Sequence, residues 1–309
     1  MLICVGEILV DVFEEDGKQS LFPGGAPFNV ASNALLYTKD VSFYGAVGKD
    51  EEGNFLLDFA SKCPFKTLSI KTLPDYSTTK AIVSLKEGER SFRFERDSGA
   101  DYHLSIQDID WQEIQDEDIV HIGSLMLSYP EGVSFFHSFV HEIRSRSKAK
   151  ISFDINYRDD IFPSEEVAKD VFIKALSEAD ILKFSVEELR LLSGEEEISL
   201  GLKRLLKEEQ MAVVTLGKEG SLFYSKGKIV KVPSFPVKPV DTTGAGDAFY
   251  AYFLASLVNH PSFIEEEDSL IKYLTYANVA GALTTLRKGA INAAPSQEEI
   301  ESFLQKTSK

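Results

Sequence analysis

The sequence contains little cysteine, histidine or tryptophan, and it lacks long apolar runs. Among its 309 residues are 2 Cys, 5 His and 1 Trp. Two cysteines, Cys4 and Cys63, cannot form a disulfide framework and make no CxxC motif. No apolar run approaches the roughly 20 residues that span a bilayer, and the N-terminal stretch lacks the basic segment of a signal peptide. We therefore expect a protein of the reducing cytoplasm that has no membrane partner.

Positive charge is also scarce, since 33 Lys and Arg face 49 Asp and Glu and the net charge is −16. A surface this acidic disfavours nucleic acids and anionic membranes as partners. It leaves open a small anionic ligand held by a local cluster of amides and cations. The signatures GxxxxGK[ST] and GxGxxG after the first strand are both absent, which argues against a P-loop enzyme and a dinucleotide dehydrogenase.

Regular alternation of strands and helices marks the chain beyond residue 117. Strands rich in Val, Ile and Phe (DIVHIGS, AKISFDIN, ADILKFS, MAVVTLG) are separated by helical stretches at about 131–146, 164–177 and 185–208. This alternation predicts a parallel sheet with helices on both faces. The other predicted elements are strands over 2–10 and 41–47 and helices over 27–38, 51–63, 244–258, 266–286 and 296–304.

Between about residues 66 and 99 the sequence pattern changes, and polar and apolar residues alternate. The segments FKTLSIKTL, TTKAIVSLK and RSFRFER alternate in this way, and Glu87-Gly88 marks a hairpin turn between the last two. With residues 12–23, they predict a small antiparallel sheet inserted into one large α/β domain that spans 1–309. Insertions of this kind often serve as lids.

The strongest chemical motif is DTTGAGDAF at 241–249. Gly244, Ala245 and Gly246 allow close approach of a ligand to the backbone, and a helical pattern begins there. Amides of Ala245, Gly246 and Asp247 at the positive helix end then predict an anion hole. A carboxylate beside it, that of Asp247, suits phosphoryl transfer. For this motif alone, a glycine-rich helix start capped by Asp247 is an equal alternative.

Weaker motifs indicate a second set of polar groups. Gly24 and Gly25 form a turn ahead of a helix whose first turn holds Asn29, an amide suited to polyol hydroxyls. Asp11 follows the first predicted strand, and Arg158 follows another. Ligands of open α/β sheets bind outside the carboxyl ends of strands, which is where we expect both side chains. A plain turn and a solvated acidic loop are the alternatives.

Three motifs in the same order resemble the ribokinase-like (PfkB) carbohydrate kinase superfamily over essentially the full length. They are GGAPFNVA at 24–31, VGKDEEG at 47–53 and DTTGAGD at 241–247. Thr38 and Tyr252 depart from the residues that the family patterns prefer. The resemblance implies a three-layer α/β sandwich with a mostly parallel central sheet and a small β-sheet lid. It also implies ATP and Mg²⁺ as cofactors, with Asp247 as the catalytic base and residues 244–246 as the anion hole.

The resemblance further implies the nucleotide and metal contacts. The nucleotide contacts are Lys183, Ser185, Thr215, Gly217, Gly220, Gly244, Gly246 and Asn278. Ser185 and Glu188 resemble an N-x-x-E motif in which Ser replaces Asn, so Glu188 is expected to bind Mg²⁺ through water. Asp241 and Thr243 lie where such families often hold a monovalent cation, here K⁺.

Within the superfamily the resemblance is closest to fructokinases. It rests on FRFERDSGAD at 92–101, SFDINYR at 152–158 and ILKFS at 181–185. The implied reaction is phosphorylation of fructose to fructose 6-phosphate. The implied sugar contacts are Asp11, Gly24, Gly25, Asn29, Arg96, Arg158 and Asp247. A 2-keto-3-deoxygluconate kinase, a ribokinase and a non-catalytic sugar-binding regulator are the alternatives, and a homodimer through the lid is expected.

Overall fold

Two β-sheets organise the chain in a computed structural model that describes residues 1–15, 18–86 and 89–307. The strands are β1 (Leu2–Val5), β2 (Leu9–Glu15), β3 (Lys18–Gly24), β4 (Val41–Gly48), β5 (Thr67–Leu73), β6 (Lys80–Lys86), β7 (Glu89–Glu95), β8 (Ile119–Ile122), β9 (Lys150–Asp154), β10 (Ile181–Ser185), β11 (Met211–Thr215), β12 (Ser221–Ser225) and β13 (Lys228–Val232). The central sheet has nine strands in the order β13-β12-β11-β10-β9-β8-β1-β4-β5. A separate sheet has the order β3-β2-β6-β7.

The central sheet is mostly parallel, as predicted. Strands β5, β4, β1, β8, β9, β10 and β11 pair in parallel, and only the edge hairpin of β12 and β13 pairs antiparallel. Strands covered on both faces must be apolar along their whole length. Strands β1, β4 and β8 are accordingly buried at every position.

Helices cover both faces of the central sheet and complete the three layers. They are α1 (Ala26–Ala34), α2 (Glu51–Ala60), α3 (Pro130–Arg146), α4 (Glu165–Leu176), α5 (Val186–Ser193), α6 (Ile198–Leu205), α7 (Ala245–Asn259), α8 (Glu267–Thr284) and α9 (Gln297–Thr307). Helices α3 to α6 share one hydrophobic core with the sheet. The other helices share the second core on the opposite face. In the described part of the chain, no helix is both long and apolar enough to cross a bilayer.

The first predicted strand, 2–10, is broken at Gly6. Gly6 has φ 147°, and a Cβ there would lie 2.9 Å from Pro27 Cγ and 3.0 Å from Gly123 Cα. The break sends β1 into the central sheet and β2 into the small one. Asp11 therefore lies inside β2, which corrects the expectation that it ends a strand of the central sheet.

The small sheet is made of Leu9–Glu15, Lys18–Gly24, Lys80–Lys86 and Glu89–Glu95, so its second part is shorter than the expected 66–99. The stretch at 67–73 forms β5, which pairs in parallel with β4 at the edge of the central sheet. A half-exposed edge strand alternates polar and apolar residues just as a lid strand does, so the pattern could not separate them. Strands β6 and β7 pair antiparallel as predicted, while the turn at Glu87-Gly88 lies outside the described residues.

The helix predicted over 185–208 is two helices, α5 and α6. Helix α5 ends at Gly194, whose φ of 70° is the left-handed conformation that commonly terminates helices. The amide of Gly194 donates to the carbonyl oxygen of Arg190. The apolar periodicity continues on both sides of this glycine, which is why the two helices appeared as one.

A steric contact at the start of α3 gives a test of this packing. A Cβ on Gly132 would lie 2.1 Å from the carbonyl oxygen of Met126. We expect Gly132→Ala to lower the free energy of unfolding by about 1–3 kcal/mol, because backbone must move. As a matched control, Gly201→Ala in α6 meets side chains alone, with the Ser193 hydroxyl at 2.9 Å and Leu189 Cγ at 3.3 Å. It should lose less, because side chains shift more easily than the backbone carbonyl that Gly132→Ala meets, while the gain of about 0.5–1 kcal/mol for alanine over glycine in a helix applies to both variants. Urea denaturation of both variants checks this, and equal losses would contradict it.

Candidate active site

A cleft of about 550 Å³ lies between the carboxyl edge of the central sheet, the small sheet and the start of α7. The residues of the α/β domain that line it are Glu7, Gly25, Ala26, Asn29, Leu125, Asn156, Arg158, Asp159, Asp160, Lys183, Thr242, Thr243, Gly244, Gly246 and Asp247. The small sheet contributes Leu9, Asp11, Ala81 and Phe94. The motifs at 24–31 and 241–247, more than 200 residues apart in sequence, thus meet in one cavity. The small sheet forms one wall of this cavity.

The N-terminus of α7 presents free amides to this cleft. Gly244 caps the helix with φ 74°, and a Cβ there would lie 2.4 Å from Ala290 Cβ. The amide of Ala245 donates to the carbonyl of Thr242 at 3.3 Å. Within the described chain, no acceptor is found for the amides of Gly246 and Asp247. The Ala245 amide is thus turned back onto its own loop, and an anion hole made by the amides of 245–247 stays a prediction.

Asp247 is half-buried at this helix start and is held by Asn29. Asn29 Nδ2 donates to Asp247 Oδ2 at 2.8 Å, which joins α1 to α7. Burial raises the pKa of the Asp247 carboxyl, while Lys183 and the Asn29 hydrogen bond oppose that rise. A carboxylate with a pKa above its usual range is a better proton acceptor for a hydroxyl. The geometry suits Asp247 as a general base.

Lys183 places a positive charge next to the amides. Its Nζ donates to Asp154 Oδ2 at 2.7 Å and lies 3.4 Å from where a Cβ on Gly246 would stand. Burial alone would lower the pKa of Lys183, but the carboxylates of Asp154 and Glu188 outweigh it and raise the pKa. The ammonium is therefore charged at neutral pH. Binding of an anion by this ammonium and the amides at the start of α7 stays a prediction.

Glu188 caps α5 and also reaches the loop after β9. Its Oε2 accepts the amide of Ser185 at 2.6 Å, and its Oε1 accepts the amide of Tyr157 at 2.8 Å. The Ser185 hydroxyl accepts the amide of Glu188 at 3.1 Å, which completes a capping box. No group of three or more acidic, His or Cys side chains that could hold a metal is found in the described chain. Binding of Mg²⁺ by Glu188 through water stays a prediction.

Arg96, expected to contact a sugar, is instead enclosed below the cleft. Its Nε and Nη2 donate to Asp101 Oδ2 at 3.0 and 2.5 Å, and its Nη1 donates to the Ser128 hydroxyl. The guanidinium carbon lies 4.9 Å from the ring centre of Tyr102 and 5.1 Å from that of Tyr129. Arg96 is not among the residues that line the cleft. Its contact with a sugar stays a prediction.

Asp11 and the glycine pair pack closely at the other end of the cleft. A Cβ on Gly24 would lie 2.4 Å from Asp11 Oδ2, and a Cβ on Gly25 would lie 2.4 Å from the Glu7 carbonyl oxygen. Burial, and next the carboxylate of Asp247, raises the pKa of Asp11 to about 7. Arg158 opposes this rise and lines the same cleft. Gly24 therefore makes room for the Asp11 carboxylate, and Gly25 makes room for the backbone of Glu7.

The expected nucleotide contacts on β11 and beyond lie beside the cleft rather than in its lining. Thr215 pairs with Ser185 across β10 and β11, and its hydroxyl donates to the Phe184 carbonyl at 3.3 Å. Gly217 and Gly220 follow with φ of 58° and 108°. Their contacts with a nucleotide stay predictions.

Asn278, expected beside an adenine, is used within the fold. It is buried in α8, and its Nδ2 donates to the carbonyls of Val232 and Pro233 at 3.2 and 3.3 Å. These bonds tie α8 to the chain that leaves β13. A contact with adenine stays a prediction.

Asp241 fixes the loop in front of α7. Its Oδ1 accepts the amide and the hydroxyl of Thr243 at 3.1 and 2.7 Å, and its Oδ2 accepts the amide of Gly289 at 3.1 Å. Asp241 is buried, so its charge needs these donors. The loop and the Gly289 turn are thereby held together. Binding of a monovalent cation here stays a prediction.

Two residues that the sequence analysis did not single out also line the cleft. Glu7 is buried, and within the described chain its Oε2 has no hydrogen-bond partner. Burial raises the pKa of Glu7 to about 8. Its signal was an acidic residue inside the apolar run 2–10. Asn156 follows β9 in a left-handed conformation with φ 41°. In the sequence, the only indication of its role was a polar residue at the end of a strand.

The fold and this site define a small-molecule phosphotransferase of the α/β class. A family model described as pfkB family carbohydrate kinase matches residues 1–297. The chain belongs to this family, as the motifs predicted.

Similar proteins extend over the whole chain. Probable fructokinase-2 of Arabidopsis thaliana is 34% identical over 316 residues, covering 99% of this chain and 96% of the relative. The solved structure of a fructokinase with bound ATP from Xylella fastidiosa has a TM-score of 0.90 at 28% identity, covering 100% and 99% of the two chains. A fructokinase from Vibrio cholerae O395 with fructose, ADP and calcium ion has a TM-score of 0.89 at 30% identity, covering 98% of each chain.

The buried acid at position 7 gives a test of the site's electrostatics. Its pKa is raised from 4.5 to about 8, so the folded protein holds a proton that the unfolded chain releases. The stability of the wild type therefore falls as pH rises through that window. A glutamine at this position cannot titrate, so the melting temperature of Glu7→Gln minus that of the wild type should grow by several degrees between about pH 5 and pH 8.

The control is Glu117→Gln, which alters an exposed side chain. Its melting-temperature difference from the wild type should stay flat over the same range. Scanning calorimetry measures both series. A flat difference for Glu7→Gln would show that this carboxyl is not protonated in the folded protein.

Proposed function

We propose that this protein transfers the γ-phosphoryl group of ATP to the 6-hydroxyl of fructose and forms fructose 6-phosphate. The observation that carries the proposal is the meeting of Asp247, the free amides at the start of α7 and the Lys183 ammonium in one cleft. A base, an anion hole and a cation are the groups that phosphoryl transfer requires of a protein. The names of the relatives support fructose as the acceptor.

In this mechanism Asp247 accepts the proton of the primary sugar hydroxyl. The hydroxyl oxygen attacks the γ-phosphorus as the bond between that phosphorus and the ADP oxygen breaks. Asn29 holds the carboxylate in place through its 2.8 Å hydrogen bond. The amides of Gly246 and Asp247, with Lys183, offset the charge on the transferred group. Glu188 would hold Mg²⁺ through water, and the bound ion would supply positive charge to the phosphates.

The charges around the cleft favour a neutral sugar over a sugar acid. Five of its lining residues are acidic (Glu7, Asp11, Asp159, Asp160, Asp247), and two are basic (Arg158, Lys183). A buried substrate carboxylate needs a cation of its own. Lys183 is already paired with Asp154. Arg158, the other lining cation, is followed by Asp159 and Asp160, whose carboxylates line the same cleft and would repel a substrate carboxylate. Fructose is therefore preferred over 2-keto-3-deoxygluconate.

The remaining contacts complete the proposal. Sugar hydroxyls would bind Asp11, Asn29, Arg158 and the backbone of Gly24 and Gly25. The nucleotide would lie along Lys183, Ser185, Thr215, Gly217, Gly220, Gly244, Gly246 and Asn278. K⁺ would bind near Asp241 and Thr243, where a buried carboxylate meets a loop.

We also propose a cytoplasmic homodimer. Strands β3 and β7 are the edges of the small sheet, and an edge offers unpaired backbone groups to a second copy. Leu21 of β3 is 43% exposed, so pairing of this edge with a second copy would also cover apolar surface. Two free cysteines fit a reducing compartment.

Removing the base tests the mechanism. General-base help contributes about 10²–10⁴-fold, so Asp247→Asn should lower kcat by at least about 10² while fructose still binds. Steady-state kinetics and calorimetric titration with fructose measure the two effects. Asp170→Asn, an exposed change in α4, is the control. If Asp247→Asn keeps more than about a tenth of the wild-type kcat, Asp247 is not the base.

The acceptor is tested by ADP release with Mg-ATP and fructose, 2-keto-3-deoxygluconate, ribose or adenosine. We expect the highest kcat/KM with fructose. A higher kcat/KM for 2-keto-3-deoxygluconate would overturn the choice of sugar and leave a sugar kinase. No turnover with any of them, together with a melting temperature that fructose raises, would instead indicate a sugar-binding regulator.

A further inference from the structure

The root of the small sheet is fastened to the α/β domain by one buried carboxylate, that of Asp101. Its Oδ1 accepts the Thr79 hydroxyl at 2.5 Å, and its Oδ2 accepts Arg96 at 3.0 and 2.5 Å. Thr79 immediately precedes β6, and Arg96 immediately follows β7. All three side chains are at most 5% exposed. A single aspartate therefore bonds both strands of the hairpin where they leave the domain.

The register links this root to the wall of the cleft. Ala81 pairs with Phe94 across β6 and β7, and both side chains line the cleft. Thr79 lies two residues before Ala81, and Arg96 lies two residues after Phe94. Because side chains alternate along a strand, Thr79 and Arg96 lie on the same face of the hairpin as Ala81 and Phe94. The pair bonded by Asp101 is thus next to the pair that faces the ligand. A displacement of Thr79 or Arg96 would therefore also displace Ala81 and Phe94.

The preceding residue, Thr78, is fastened as well. Asp50 accepts the amide and the hydroxyl of Thr78 at 2.7 and 2.6 Å, and the Gly48 amide donates to the same hydroxyl at 3.0 Å. Asp50 is also the N-cap of α2. The chain entering β6 is thereby bonded on both sides, to Asp50 and to Asp101. Such bonding leaves little freedom at the base of the hairpin.

The ion pair of Arg96 and Asp101 is buried outside the lining of the cleft. Arg96 places three of its five N–H groups on Asp101 and Ser128, and neither Arg96 nor Asp101 is among the residues that line the cleft. The Arg96 guanidinium is also flanked by Tyr102 and Tyr129. An effect of these residues on the reaction must therefore pass through the hairpin that they hold.

We propose that Asp101, acting through Thr79 and Arg96, is a positioning residue that fixes the small sheet so that Ala81 and Phe94 close the sugar end of the cleft. The inference rests on the proposed sugar phosphorylation. It assigns the Arg96–Asp101 pair to the placement of the wall and not to contact with substrate. A loosened wall weakens sugar binding and admits water to the γ-phosphate.

The test uses Thr79→Val, which removes the hydroxyl with little change in shape, and Thr79→Ser, which restores it. Thr79→Val should raise KM for fructose at least tenfold, keep KM for ATP within twofold, and increase the ATP hydrolysed per fructose phosphorylated. Thr79→Ser should return all three values to within threefold of the wild type. Ser256→Ala, which removes a buried hydroxyl at the far end of α7, should change none of them.

A double-mutant cycle separates positioning from contact. If Arg96 and Asp101 act as one unit, Arg96→Gln combined with Asp101→Asn raises KM for fructose no more than the worse single variant. If the double variant instead raises KM for fructose by the product of the two single rises, Arg96 binds the sugar directly and the proposal is overturned. Parallel rises in KM for ATP and for fructose in Thr79→Val would also overturn it, since they indicate general damage to the fold.

Calorimetric Kd values for fructose, measured on the same variants, keep this test separate from the proposed function. If the wild type binds fructose without phosphorylating it, the proposed reaction fails, while a tenfold weaker Kd in Thr79→Val still supports positioning. An unchanged Kd in a folded Thr79→Val protein overturns the positioning proposal even if the kinase activity is present. A wild type that neither binds nor phosphorylates fructose overturns both.

Discussion

The hydrogen bond between Asn29 and Asp247 is the contact on which the rest of the site depends. It joins two motifs that are 218 residues apart in sequence, at the place where α1 and α7 pack together. Helix α7 is buried along most of its length, so its position is fixed by the core. A fixed helix start sets where its free amides and its carboxylate face the cleft. Burial of that carboxylate has a cost, which the Asn29 amide and the Lys183 ammonium offset.

The same principle, the pairing of each buried charge, distinguishes the two ends of the cleft. At the α7 end, Lys183 is held by Asp154 and remains charged. At the other end, Glu7 and Asp11 have raised pKa values because burial outweighs the opposing effect of nearby arginines. One end therefore suits phosphate and the other suits neutral hydroxyls. This division of charge, more than the shape of the cavity, is what a sugar kinase requires.

Much of the fold and of the chemistry could be predicted because the signals are local. The glycine-rich helix starts at 24–31 and 241–247 carry their geometry in a few consecutive residues, and the alternation of strands and helices defines the parallel sheet. The break at Gly6 could not be predicted, since an apolar run shows that strands form but not that the chain changes sheets. The same limit misplaced β5, whose edge position gives it the alternation of a lid strand.

Side-chain partners were the least predictable part of the site. A basic residue near a presumed sugar pocket suggests a substrate contact, yet Arg96 is bonded to Asp101, five residues further along the chain. Which way each side chain points depends on the turn between them, and composition does not reveal it. The Ala245 amide is a similar case, because its hydrogen bond to Thr242 depends on the left-handed Gly244.

The central claim is that one cleft brings a sugar hydroxyl to Asp247 and a phosphate to the start of α7. A crystal structure with fructose, Mg²⁺ and a non-hydrolysable ATP analogue tests it most directly. The account predicts the 6-hydroxyl oxygen within about 3.2 Å of an Asp247 carboxylate oxygen, with the γ-phosphate on the amides of Gly246 and Asp247. A sugar whose primary hydroxyl lies away from Asp247, or a triphosphate bound away from α7, would contradict it.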